Sequence, residues 1–163
     1  MNKIFIILNF CIILLISNCG YEPIYQKNLE TSQDLLSVSV KNIKDRSGQI
    51  LRNSLINKLN PEGKREIKKY NLIIELSESK TELGVRKDMS ATRTDLEISI
   101  KYILRDIENS NIILQGNKKS ISSYDVVESV YATLIAEKDA RKKGIEILSD
   151  DIYTDLTIFF KKK

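Results

Sequence analysis

A chain of 163 residues with 26 basic and 22 acidic side chains is long enough for one domain with a sizeable core, and its net charge of +4 is too mild to argue for nucleic acid. It contains no histidine, which excludes Ser-His-Asp and Cys-His nucleophile systems and most zinc sites, and its carboxylates show no spacing that favours a catalytic pair. We expect no enzyme, no metal and no cofactor.

The first segment is Lys3, the apolar run Ile4 to Ile16, and Ser17-Asn18-Cys19-Gly20. A helix over that run spans about 20 Å, short of the roughly 30 Å hydrocarbon layer, so it suits a signal-peptide core better than a membrane span. Cys19 stands where the cysteine of a lipobox is acylated and becomes the new amino terminus. Asn18 and Ile16 depart from the usual lipobox residues, which leaves an uncleaved anchor or an ordinary signal peptide as the alternative. Gly20 rather than Asp in the next position resembles lipoproteins sorted to the outer membrane. Cys11 leaves with the signal peptide, so the domain has no thiol to pair and must be held by its core. The expected division is a signal peptide over 1–18, an acylated tether over 19–34 and one α+β domain over 35–163.

Within the tether, Pro23 fixes its own backbone angle and pushes Glu22 toward an extended form. Residues 26–34 are polar and read as a linker. Leu36, Val38 and Val40 alternate with Ser37, Ser39 and Lys41, the period of a half-buried strand. Asp45 or Ser47 then caps a helix whose Leu51, Leu55 and Leu59 recur every four residues, until Asn60-Pro61-Glu62-Gly63 stops it. A second strand carries Tyr70, Leu72, Ile74 and Leu76, followed by a polar loop from Ser77 to Thr92. The third strand has the strongest pattern, with Leu96, Ile98, Ile100, Tyr102 and Leu104 on one face. Glu108-Asn109-Ser110-Asn111 turns the chain into a fourth strand from Ile112 to Tyr124. Asp125 and Glu128 have capping-box spacing and open a helix reaching Phe160, with Ala132, Ala136, Ala140, Leu148, Ile152, Leu156 and Phe159 along its packing face. Gly144 and Ser149-Asp150-Asp151 are the places where it could bend. The order β-α-β-β-β-α suits a four-stranded, mainly antiparallel sheet with two helices packed on one face. Leu36, Leu51, Leu55, Ile98, Tyr102, Ala132 and Leu156 are the expected core.

Several short patterns occur together in one order. They are Cys19-Gly20-Tyr21-Glu22-Pro23-Ile24-Tyr25, Asp45-Arg46-Ser47-Gly48-Gln49 leading to Leu51-Arg52-Asn53 and Leu55, Ala91-Thr92-Arg93, Tyr102-Ile103-Leu104-Arg105-Asp106, and Ser129-Val130-Tyr131-Ala132 with Glu137, Asp139-Ala140 and Arg141. In this order and behind a lipobox they resemble the LPS-assembly lipoprotein family, LptE, of alphaproteobacterial type. The resemblance implies an outer-membrane lipoprotein of the lipopolysaccharide translocon, lipid-anchored and facing the periplasm. Its partners would be the translocon's LptD-like beta-barrel, which it would plug and help assemble, and lipopolysaccharide, which it would help deliver to the outer leaflet. The alternative is a periplasmic auxiliary lipoprotein of an ABC-type or lipid-shuttling transporter, binding a ligand between sheet and helices.

On the plug reading, Arg93 contacts the barrel or a lipid A phosphate, against a plain solvated strand-end arginine. Lys118 and Lys119, with Arg86 and Lys87 in the loop, form a second candidate patch for anionic headgroups, against ordinary solvated lysines. Tyr21, Pro23 and Tyr25 either dock on the barrel wall or tie the tether to the domain.

Overall fold

Strict alternation of apolar and polar side chains organises the structure, a computed structural model that describes residues 29–85 and 91–163. Its elements are α1 (Leu29–Leu36), β1 (Val38–Val40), α2 (Asp45–Leu59), β2 (Tyr70–Val85), β3 (Ala91–Asp106), β4 (Ile112–Asp125) and α3 (Val130–Lys162). Side chains alternate across a strand, so the buried Leu96, Ile98, Ile100, Tyr102 and Leu104 all leave β3 toward the helices. The four strands lie side by side in chain order. β1 runs parallel to β2, which requires the crossover that α2 provides, and the remaining pairings are antiparallel. The fold is α+β with a four-stranded mixed sheet and helices packed against it, as the periodicity implies.

One apolar core fills the space between sheet and helices. Leu51, Leu55 and Leu59 of α2 and Ile145, Leu148, Ile152 and Leu156 of α3 meet Leu72, Ile98 and Leu104 there. Ser54 Oγ of α2 donates to Ser149 Oγ of α3 at 2.9 Å, so the helices also touch each other. At the far end of α3, Phe160 packs on Tyr70 with ring centroids 5.2 Å apart, and Lys163 Nζ donates to the Tyr70 hydroxyl at 2.7 Å.

Several local expectations give way to tertiary context. Leu29–Leu36 form a helix in place of a linker, with Leu35 buried, and Leu36 ends that helix rather than opening a strand. β1 is therefore only Val38–Val40. Neither Asp45 nor Ser47 caps α2. Lys44 holds the cap position without a side-chain bond, Asp45 has φ +66°, and Ser47 is buried. Asn60 does end the helix, its side chain bonding the N–H and C=O of Lys64 at 2.9 and 2.8 Å.

The stretch from Ser77 to Thr92 is no sixteen-residue loop. β2 continues to Val85 and β3 begins at Ala91, with pairing from Ser77↔Ser99 to Val85↔Ala91. Glu78, Lys80 and Glu82 are exposed even on the helix side, so this half of the hairpin is polar on both faces and carries no alternation to read.

Asp125 belongs to β4, and the cap of α3 is Ser129, whose hydroxyl accepts from the Ala132 N–H. Ala132 is exposed, contrary to its expected place in the core, because the helix reaches the sheet only further along. α3 runs unbroken through Gly144. A Cβ there would lie 2.9 Å from Ser120 Oγ and 3.1 Å from Ile98 Cδ1, so its missing side chain is what seats the helix on β3 and β4.

Gly116 plays the same part for Tyr102, its neighbour across the strands, because a Cβ at that position would fall 2.5 Å from the phenol oxygen. Gly116→Ala is expected to cost about 1–3 kcal/mol by overpacking. Tyr102→Phe in the same chain should recover part of that loss, and chemical denaturation of the two variants and their combination checks the non-additivity.

Candidate partner-binding surface

The sheet face turned away from the helices is the first candidate. The register sets Glu75 beside Lys101 and Asn117, Ser77 beside Ser99 and Lys119, Ser79 beside Glu97 and Ile121, and Leu83 beside Arg93 and Asp125. Opposite and neutral side chains face one another across the strands, which favours pairing while leaving the surface wet. Lys119 Nζ lies 3.6 Å from Glu97, and Ser123 Oγ donates to Asp95 at 2.5 Å. Glu75, Ser99, Lys101, Asn117 and Lys119 line a shallow open groove across this face.

The helix side holds two charged clusters. In one, Glu137 of α3 accepts from Arg141 Nη2 at 2.6 Å and pairs with Lys80 Nζ at 2.8 Å, while Arg141 Nε bonds Glu78 at 3.1 Å. Tyr124 Oη donates to the same Glu137 at 3.3 Å. The hydrogen bonds from Lys80, then from Arg141, hold the Glu137 carboxyl below its ordinary range against a smaller opposing effect of burial. In the other cluster, Asp155 accepts from the Tyr102 hydroxyl and pairs with Lys118 Nζ at 2.9 Å. Burial, reinforced by that hydrogen bond, pushes the Tyr102 phenol above its ordinary pKa. Both clusters tie α3 to the sheet.

The first three turns of α3 form the second candidate surface. Val130, Tyr131 and Leu134 are 73%, 75% and 58% exposed, with Ile135 and the preceding Val127 also open. Residues three and four apart share a helix face, so these side chains make one apolar stripe. Val130 and Tyr131 belong to one of the ordered patterns in the sequence, but nothing local marks them as a surface, because the alanines beside them also suit a packing face. Below it, Arg46, Ile50, Leu76, Leu134, Lys138 and Lys142 border a groove between α2, α3 and β2.

The residues expected at a site do not converge. Arg93 sits inside β3 rather than at a loop exit, exposed on the open sheet face opposite Leu83 and Asp125. Lys119 shares that face but stands six positions along β4 from Asp125, which puts it about 20 Å from Arg93's row. Lys118 points to the helix side and is held by Asp155, so Lys118 and Lys119 are not one patch. Adjacent residues on a strand must diverge in this way. Arg86 and Lys87, the acylation candidate Cys19 and the docking segment Tyr21, Pro23 and Tyr25 lie outside the described residues. Among the described residues no cluster of acidic or thiol groups is placed to hold a metal ion, and no helix is long and apolar enough to cross a membrane.

No family model matches the chain. An uncharacterised protein of Rickettsia prowazekii, RP188, is 27% identical to it over 164 residues, the full length of both. Among solved structures, a Caulobacter crescentus protein described as a lipoprotein superposes with a TM-score of 0.65 at 21% identity, over 82% of this chain and 97% of that one. A minor lipoprotein of Acinetobacter baumannii gives 0.60 at 16% identity over 74% and 90% of the two chains. Rare lipoprotein B of Shewanella oneidensis gives 0.55 at 11% identity over 74% and 91%. The chain has the fold of these bacterial lipoproteins.

The Glu137 cluster makes this fold sensitive to acid. Its folded-state pKa lies below the ordinary value of 4.5, so the stabilisation is complete above that value and is lost as pH falls through the folded one. Tyr102 acts in the opposite direction, since a phenol raised in the folded state stabilises fully below its ordinary value of 10.0 and loses that effect as pH climbs. Thermal midpoints of Glu137→Gln and Tyr102→Phe across pH should therefore approach the parent's at the acid and alkaline ends respectively.

Proposed function

We propose that the protein is a lipid-anchored outer-membrane lipoprotein of the lipopolysaccharide translocon, acting as plug and assembly partner of the LPS-inserting beta-barrel. The fold shared with bacterial lipoproteins, rare lipoprotein B among them, carries this reading, joined to the lipobox-like Cys19 and to the ordered patterns that resemble LptE. Physical features of the domain suit the role. A body inside a barrel needs a wet surface toward a polar lumen and a few buried anchors for affinity. The open sheet face supplies the first, and Val130, Tyr131 and Leu134 supply the second.

Arg93 and Lys119 remain the contact candidates for a phosphate or a barrel loop, far apart from one another on the open face. Lys118 acts through its bond to Asp155 and positions α3. The transporter-auxiliary alternative needs a ligand held between sheet and helices. That space is filled by Leu51, Leu72, Ile98, Leu148 and their neighbours, so the geometry favours a binding surface over a binding cavity.

Acylated protein purified from detergent-solubilised membranes is expected to elute one-to-one with an outer-membrane barrel. The double variant Tyr131→Ser, Leu134→Ser should reduce that recovery about tenfold or more, in line with loss of interface anchors, without lowering the thermal midpoint. Elution alone, or with an inner-membrane permease, would refute the proposal. In the same complex, Arg93→Ala should weaken crosslinking to lipopolysaccharide while leaving barrel recovery intact.

A further inference from the structure

The two edges of the sheet are treated differently. At the β1 edge, Arg52 Nε donates to the Val40 carbonyl at 3.3 Å, and just before β1 Lys68 Nζ donates to the Leu36 carbonyl at 2.6 Å. These cations occupy acceptors that an added strand would need, a common way of blunting an edge.

Among the described residues the β4 edge has no such cover. Val126 N donates to the Thr92 carbonyl at 3.0 Å, which fixes the phase of the β3–β4 ladder. In an antiparallel pair the bonded residues alternate with residues whose groups point away. Ser120, Ser122 and Tyr124 therefore bond to β3, while Gln115, Asn117, Lys119, Ile121 and Ser123 turn their N–H and C=O outward. Among the described residues, these outward groups have no protein partner. The side chains of the same five residues stand on the open sheet face, where Ile121 is 54% exposed two positions from Lys119.

We propose that β4 is an acceptor edge for an extended segment of a partner protein that carries an acidic residue opposite Lys119 and an apolar one opposite Ile121. Main-chain bonds would supply affinity, and the alternate side chains specificity. Charge argues against a second copy of this chain as the occupant. Two β4 strands related by a two-fold axis normal to the sheet keep their faces, so the registers of greatest overlap set Lys118 against Lys118 or Lys119 against Lys119. Like charges directly opposite destabilise a pair. The proposal concerns the edge alone and stands apart from the identity of the barrel.

The probe is a synthetic peptide of about ten β-branched residues with a single glutamate placed to face Lys119 in one register. It is added to the full-length chain, and amide hydrogen exchange is read residue by residue. The expected result is slowed exchange at Asn117, Lys119, Ile121 and Ser123, with Ser120, Ser122 and Tyr124 unchanged. Ile121→Pro removes an outward donor without touching the β3 ladder and should weaken binding about tenfold or more. Lys119→Glu keeps every backbone donor, and should shift preference about fivefold toward a peptide with lysine in place of glutamate. If Ile121→Pro fails to fold, that reversal alone decides the matter. Absence of peptide binding, protection without the odd-even pattern, or no reversal by Lys119→Glu overturns the proposal. So does protection of the same amides by raising the chain's own concentration, which would assign the edge to a second copy.

Discussion

Close contact between α3 and the β3–β4 hairpin is the constraint on which the rest of the molecule depends. A 33-residue helix is about 50 Å long, comparable to β3 and β4 in their full extent, and it buries Ile145, Leu148, Ile152 and Leu156 against the sheet, with glycines where the two approach most closely. Gly144 lets the helix backbone approach Ser120 and Ile98, and Gly116 leaves room for the Tyr102 ring whose hydroxyl reaches Asp155. From that seating, Ile145, Leu148, Ile152 and Leu156 fall on the apolar strand positions in one layer. The interior is then filled by these side chains.

That seating also divides the charged residues into two kinds. Those on the sheet that face α3 are used up in holding it, as Lys80 and Glu78 are on its Glu137 and Arg141, and Lys118 is on its Asp155. Those on the opposite face pair loosely across strands and stay exposed, as Lys119 does with Glu97. Partly screened surface pairs contribute little stability, so the open face can exchange its internal partners for external ones at small cost. The proximal half of the domain is thus a packed sandwich. The distal half, with the polar β2–β3 hairpin and the exposed first turns of α3, leaves more of its surface open.

The same logic separates the edges. β1 is short, parallel and sealed by Arg52, whereas β4 is long and, among the described residues, unsealed. An uncovered edge of that length invites aggregation unless something limits it. Lys119 on the edge and Lys118 beside it discourage self-pairing while leaving the backbone available.

The sequence by itself determined the elements whose environment is one-sided. β3 and the middle of α2 show their periods because each has one dry face and one wet face, and Asn60 and Gly63 end α2 by local chemistry alone. Where the surroundings were uniform, the pattern carried no such signal. Residues 77–85 form strand while being polar on both sides, and α1 is a helix behind a mostly polar stretch with Leu35 buried against the body. Ala132 has a helix former's side chain but no sheet beneath it. The surface was less legible still. That Arg93 lies apart from Lys119, that Lys118 turns inward, and that one edge is closed and the other open follow from strand register and helix placement. Both are set by long-range packing between segments far apart in the chain, and no local pattern of residues encodes them.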